Sequence, residues 1–125
     1  MKRLMKLEEL GQLLLSILLF SQLSYAWWVY LLLLLAPDLG MIGYLFGPRV
    51  GAVTYNTTHH KGLAAVLYAI GILYAAPVLA LIGVIMFGHS SLDRVLGFGL
   101  KYGDSFQHTH LGWIGRSRGA GASAP

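Results

Sequence analysis

Apolar residues run along this chain in blocks that contain no recurring polar face: residues 13–20, 27–36 and 63–87 are apolar on all sides. A soluble helix of that length would place charged residues along one side, so the blocks predict helices surrounded by hydrocarbon. A long window finds three spans, at 10–36, a middle run, and 62–87. Weak points divide them further. Ser21-Gln22 to Ser24 interrupts the first, and Ala75-Ala76-Pro77 interrupts the last, because proline suits the first turn of a helix and not its interior. The expectation is an all-α integral membrane protein, a four-transmembrane-helix bundle with helices at about 5–23, 26–46, 49–73 and 77–101. These helices and a C-terminal segment packing at the cytoplasmic mouth form one domain over 1–115, and 116–125 reads as a flexible tail.

Composition agrees, with 56% apolar and 11% charged residues. The net charge of +4 matters less than its placement. Lys2, Arg3 and Lys6 precede the first run, Arg49 lies midway, and Arg94, Lys101, Arg116 and Arg118 lie toward the C-terminus. Four spans put all of these on one side and leave two turns without Lys or Arg, whereas three spans would separate the basic ends. The positive-inside rule then predicts cytoplasmic N- and C-termini in a bacterial inner membrane. The basic residues are not interleaved with exposed aromatics, so nucleic acid is not an expected partner. There are no cysteines, which excludes disulfides, thiolate catalysis and sulfur-rich metal sites. The N-terminus imitates a secretory signal, but Glu8 and Glu9 break the passage from basic to apolar, and the segment reads as an uncleaved first helix. Gly40, Gly43, Gly47 and Gly51 form a small-residue packing seam, and Trp27, Trp28, Tyr30 and Trp113 read as interfacial anchors.

Against that background the imidazoles and carboxylates stand out, because an ionisable group at bilayer depth is expensive unless it finds partners. His89 and Asp93 are an i, i+4 pair on one helix face, a spacing that suits two ligands on one ion or a hydrogen-bonded packing pair. Asp38 follows Pro37, which frees a backbone carbonyl and loosens the helix. The alternatives for Asp38 are a helix cap or neutralisation by Arg94 or Arg49. Asn56 has His59 and His60 three and four residues on, and only one imidazole need face the bundle. Counting inward at about 1.5 Å per residue puts Asp38, His59, Asp93 and His89 at depths of about 12, 16, 12 and 18 Å. His110, with His108 and Asp104, is placed to close the site from the mouth. Asp38, His59, His89, Asp93 and His110 are thus the candidate metal ligands, with Asp38, His89 and Asp93 the candidate catalytic groups and Asn56, Arg94, His60 and His108 supporting. Oxygen and imidazole donors without sulfur suit Zn, Fe or Mn.

The segments Pro37-Asp38-Leu39 to Gly43-Tyr44, Gly47-Pro48-Arg49-Val50-Gly51 to Tyr55-Asn56 and His59, His89 to Asp93-Arg94, Leu96-Gly97, Gly99-Leu100-Lys101-Tyr102 and Thr109-His110-Leu111-Gly112 resemble a small bacterial integral-membrane family catalogued as a domain of unknown function. That resemblance covers nearly the whole chain, implies a shared fold, and makes His59 the choice over His60. A weaker likeness is to membrane-bound metal-dependent hydrolases, in which Pro-Asp, a later His, and His-x-x-x-Asp recur in this order. Their further Asp and their Arg-Gly are replaced here by Gly40 and His60-Lys61.

Three functions follow as expectations. The first is a metal-dependent hydrolase acting on a lipid-like substrate drawn from the bilayer. The second is a non-catalytic accessory subunit of a larger membrane complex or a homo-oligomer, structural or binding haem or pigment. The third is a proton or ion relay, against which the short chain and the lack of an internal repeat count.

Overall fold

The computed structural model describes residues 1–114, so the expected tail over 116–125 lies outside the described residues. The chain is mostly helical: α1 (Lys2–Ser21), α2 (Trp27–Leu33), a 3₁₀ segment (Ala36–Phe46), α3 (Pro48–Thr58), α4 (Lys61–Leu73) and α5 (Pro77–Val95). Two stretches, Trp27–Phe46 and Pro77–Val95, are long and apolar enough to cross a membrane. The long α5 packs against α1 and α4, and α3 lies along the 3₁₀ segment. Phe20, Tyr30, Val84 and Ile85 form the buried apolar core between them.

Three of the expected helices differ from their predicted extents, each for a local reason. The span expected at 26–46 stops being α-helical after Leu33. Pro37 has no N–H, and the Asp38 N–H turns back to the Leu35 carbonyl at 3.1 Å, a three-residue closure. In a 3₁₀ helix side chains three apart eclipse, and Pro37, Gly40 and Gly43 are the residues buried here. They form the contact face toward α3, where Thr54 Oγ1 donates to the Gly40 carbonyl at 2.5 Å. Of the next row, Asp38 and Met41 border a cavity with Asp93 and Lys101, whereas Tyr44 packs against Gly51 of α3.

The span expected at 49–73 breaks at His59 and His60. Thr57 and Thr58 hydroxyls donate to main-chain carbonyls of their own helix, a side-chain competition that weakens helix at this point. The span expected at 77–101 ends at Val95. Gly97 takes φ +95°, Phe98 N–H donates to the Asp93 carbonyl at 2.8 Å, and Gly97 N–H to that of Arg94 at 3.2 Å. This paired closure is a Schellman stop, which needs glycine at the left-handed position. The chain then forms a two-stranded hairpin, β1 (His108–Thr109) with β2 (Gly112–Trp113), where helical periodicity predicted no strand.

The glycine seam is a packing device at Gly40, Gly43 and Gly51, where an added Cβ would collide with Thr54, Thr58 or Tyr44; at Gly47 it is a turn, with φ +108° and open space. Gly43→Ala is expected to destabilise the protein by about 1–3 kcal/mol, since part of its clash is with the Val50 carbonyl oxygen, which cannot swing away. Gly11→Ala, where a Cβ meets nothing within 4 Å on exposed α1, should stabilise by up to about 1 kcal/mol. Denaturant unfolding in detergent micelles measures both, and the opposite signs are the test.

Candidate metal centre

Each structural break delivers a site residue. Beyond Pro37 the Leu34 carbonyl has no helical donor, because residue 37 lacks an N–H and Asp38 bonds to Leu35. His89 Nδ1 donates to that carbonyl at 2.6 Å. His59, at the end of α3, donates from Nδ1 to the Tyr55 carbonyl at 2.8 Å, and its ring stacks on Tyr55. A carbonyl can only accept, so both imidazoles carry a proton on Nδ1, and in the neutral ring this leaves the Nε2 lone pair facing inward.

Those two nitrogens meet two carboxylate oxygens. His89 Nε2 lies 3.0 Å from Asp38 Oδ1 and 3.4 Å from Asp93 Oδ2. His59 Nε2 lies 3.4 Å from Asp38 Oδ1 and 3.3 Å from Asp93 Oδ2. The four atoms alternate nitrogen and oxygen around a ring and all fall within 4.8 Å of one another. A four-coordinate ion with bonds of about 2.0–2.1 Å spaces adjacent ligand atoms about 2.9–3.4 Å apart, a range that the four ring edges share. His59 Nε2 is buried and makes no hydrogen bond. With both rings neutral, four lone pairs point inward and the set carries two negative charges, so these residues could hold a cation.

The outer contacts are those that orient ligands. Tyr55 Oη donates to Asp93 Oδ2 at 2.8 Å, and Arg94 Nη2 to the His59 carbonyl at 3.3 Å. The four donors are unequal. His59 and His89 are almost wholly buried and Asp93 side-chain exposure is 14%, but that of Asp38 is 43%, and among the described residues its carboxylate touches only the two imidazoles. Three donors are held from behind and one is free to move.

The remaining sequence candidates lie elsewhere. His110 is not a ligand of this cluster: its Nδ1 accepts from Leu100 N–H at 2.8 Å, and it lines a separate cavity of about 310 Å³ with Lys2, Lys6, Glu9, Arg94 and Trp113. Burial and the nearby Arg94 charge lower the His110 pKa. His60 is an exposed N-cap for α4, accepting from Leu63 N–H at 3.0 Å, and Lys61 pairs with Glu9 and Gln12 of α1. His108 bonds Asp104 at 2.9 Å, which lowers the Asp104 pKa. Asn56 clamps Lys101 through two main-chain bonds, Nδ2 to the carbonyl at 2.8 Å and N–H to Oδ1 at 2.6 Å.

Two residues at the site had no role assigned from the sequence. Tyr55 lies one turn before His59, a spacing that puts a phenol beside the imidazole. Lys101 is 5% exposed, and burial lowers its pKa to about 8 while the Asp93 charge opposes the fall. Its only signal was to be a lysine beyond a glycine stop, which charge counting absorbed.

Residues 2–114 match the family described as Domain of unknown function (DUF4260), and the chain belongs to that family. No curated protein and no solved structure matches it significantly.

Tyr55→Phe removes the phenol donor from Asp93 and should cost about 1.5–3 kcal/mol, the range for a hydrogen bond to a charged group. A double-mutant cycle with Asp93→Asn, read by unfolding in detergent, should return a coupling above about 1 kcal/mol; additivity would show that the contact carries no energy.

Proposed function

We propose that this protein is a multi-pass inner-membrane enzyme that binds one divalent ion, Zn, Fe or Mn, through Asp38, His59, His89 and Asp93 and hydrolyses an ester of a lipid-like substrate. The observation that carries the reading is the ring of four lone-pair atoms, with both imidazole protons committed outward to the Leu34 and Tyr55 carbonyls. The carboxylates between the imidazoles leave room for an ion and none for a porphyrin, which disfavours haem.

Membrane residence is supported by the outer surface. Leu14 and Leu18 on α1, Trp27, Leu31 and Leu32 on α2, Leu39 and Phe46 of the 3₁₀ segment and Leu73 on α4 are all exposed, far more apolar surface than water tolerates. In this reading α1, Trp27–Phe46, the broken pair α3 and α4, and α5 are the four spans. The basic residues then share the cytoplasmic side with both termini.

Hydrolysis is supported by the inequality of the donors. His59, His89 and Asp93 are a two-histidine, one-carboxylate set braced by main chain and by Tyr55, the pattern of a site with an exchangeable fourth position. Asp38, the unbraced fourth ligand, faces a cavity of about 170 Å³; when it gives up its position on the ion to substrate, it holds water there as general base. It accepts a proton as the water oxygen adds to the ester centre, and that proton passes to the departing alcohol oxygen as its bond breaks. A divalent ion supplies electrophilic polarisation of the ester and acidifies water.

Elemental analysis of detergent-purified protein should find about one divalent ion per chain, with His59→Ala and Asp93→Ala each weakening uptake more than tenfold while helical circular dichroism persists. His60→Ala should lose only a cap, about 0.5–2 kcal/mol of stability, and His110→Ala should keep the ion. A wild-type protein that takes up no Zn, Fe or Mn would refute the reading and leave a protonated His/Asp packing network. In excess metal, Asp38→Asn should lower hydrolysis of long-chain esters about 10²–10⁴-fold. Metal uptake without turnover on any ester would instead make the protein a structural accessory subunit.

A further inference from the structure

The ammonium of Lys101 is the one buried cation among the described residues that has no hydrogen-bond partner. Its main chain is fixed by Asn56, and its Nζ lies 4.0 Å from the Phe106 ring centroid, 4.8 Å from that of Tyr55 and 6.0 Å from that of Phe98. The aromatic faces attract the charge but offer none of its three N–H groups an acceptor. Lys101 shares the cavity of about 170 Å³ with Asp38, Asp93, Met41, Phe98 and Phe106. We propose that this cavity is a headgroup subsite for a phosphodiester on an apolar chain, with Lys101 binding the phosphoryl oxygen.

This rests on the hydrolase reading and names its substrate class. Charge decides the ligand. Among the groups that line this cavity, two carboxylates and a divalent ion sum to zero, so Lys101 leaves one uncompensated positive charge there, and a monoanion balances it. Position decides the chemistry, because the ammonium borders the same small cavity as Asp38. The negative charge it meets therefore sits on the reacting group itself. A carboxylic ester is neutral at the bond that is cut, whereas a phosphodiester carries its charge there. Size and lining add the rest: the cavity exceeds one tetrahedral oxyanion but cannot take a whole lipid, and Met41, Phe98 and Phe106 give the first part of a chain an apolar wall. Lys101 is thus a substrate-binding residue, distinct from the four ligands.

The test uses inert probes on the full chain in maltoside micelles, loaded with zinc. Dodecyl(methyl)phosphinate is a tetrahedral monoanion with no ester bond, and dodecyldimethylphosphine oxide is its neutral counterpart of similar shape. Titration calorimetry should show the phosphinate binding at least tenfold tighter than the phosphine oxide, and Lys101→Met should erase that preference while the metal content stays unchanged. Dimethylphosphinate, with no chain, should bind at least tenfold more weakly than the dodecyl compound; equal binding would identify a free-anion site and overturn the lipid assignment. Laurate binding more tightly than the phosphinate would overturn the phosphodiester class. Equal affinity for the neutral and anionic probes, or a preference that survives Lys101→Met, would overturn the role of Lys101. Should that variant fail to fold, acetic anhydride labelling of Lys101 in the wild-type chain gives the answer: the phosphinate slows it and the phosphine oxide does not, and unchanged labelling refutes the subsite. Elemental analysis of the same samples separates the two failures: protein that takes up no zinc refutes the hydrolase reading, whereas zinc-loaded protein without the phosphinate preference refutes the subsite alone.

Discussion

Two imidazole nitrogens and two carboxylate oxygens held 3.0–3.4 Å from their ring neighbours, with both Nδ1 atoms turned outward to carbonyls, are the constraint that the rest of this structure serves. Two carboxylates that close repel strongly in a medium of low dielectric constant, and neutral imidazoles between them do not offset it. A central positive charge converts the same geometry from the least favourable point in the fold to the most favourable. The protein contributes the precondition by occupying both Nδ1 positions, so that neither ring can relieve the repulsion simply by turning over.

That precondition depends on places where helices fail. Pro37 leaves the Leu34 carbonyl without a helical donor, and His89, from a helix distant in sequence, claims it. The weak helix at Thr57-Thr58 ends α3 at His59 and starts α4 after His60, so adjacent imidazoles take opposite duties, one at the ring and one as a cap. Gly97 stops α5 one turn past Asp93 and bends the chain back, which lets Lys101 reach Asn56 and enter the cavity beside the ring. An uninterrupted α-helix over residues 77–101 would have carried Lys101 past it.

The same breaks mark where the sequence was legible and where it was not. The i, i+4 pairing of His89 and Asp93 is a property of a single helix, and the loosening at Pro37 follows from a missing N–H; both could be read without coordinates. The convergence of Asp38 with His59 could be argued only through depth along assumed helices, which tolerates an error of a turn. The end of α5 was missed because the reading ran a helix through Gly97, although a glycine after an Arg-containing turn is an ordinary stop, and His110 instead accepts from Leu100 N–H outside the ring. Tyr55 and Lys101 escaped for a different reason. A tyrosine in an apolar stretch reads as packing and a lysine after one reads as topology, and only the absence of an acceptor around Nζ separates Lys101 from the basic residues that flank membrane spans.

The unequal support of the four donors bears on why such a site keeps a costly second carboxylate. If all four were braced, the centre would be a closed structural clamp, with an ion that stiffens the bundle and admits nothing. Here bracing stops at three. Asp93 is fixed by Tyr55, whose ring also stacks on His59 and faces the Lys101 ammonium, so one aromatic side chain couples a ligand, its neighbour and the buried cation. Asp38 lies outside that coupling, on a 3₁₀ segment whose buried face is made of proline and glycine, and with Met41 it borders the cavity. A half-exposed carboxylate opposite an unpartnered ammonium is a polarity, negative at one wall and positive at the other. Under the proposed function, that gradient would admit a substrate with a charged centre and an apolar chain in one orientation.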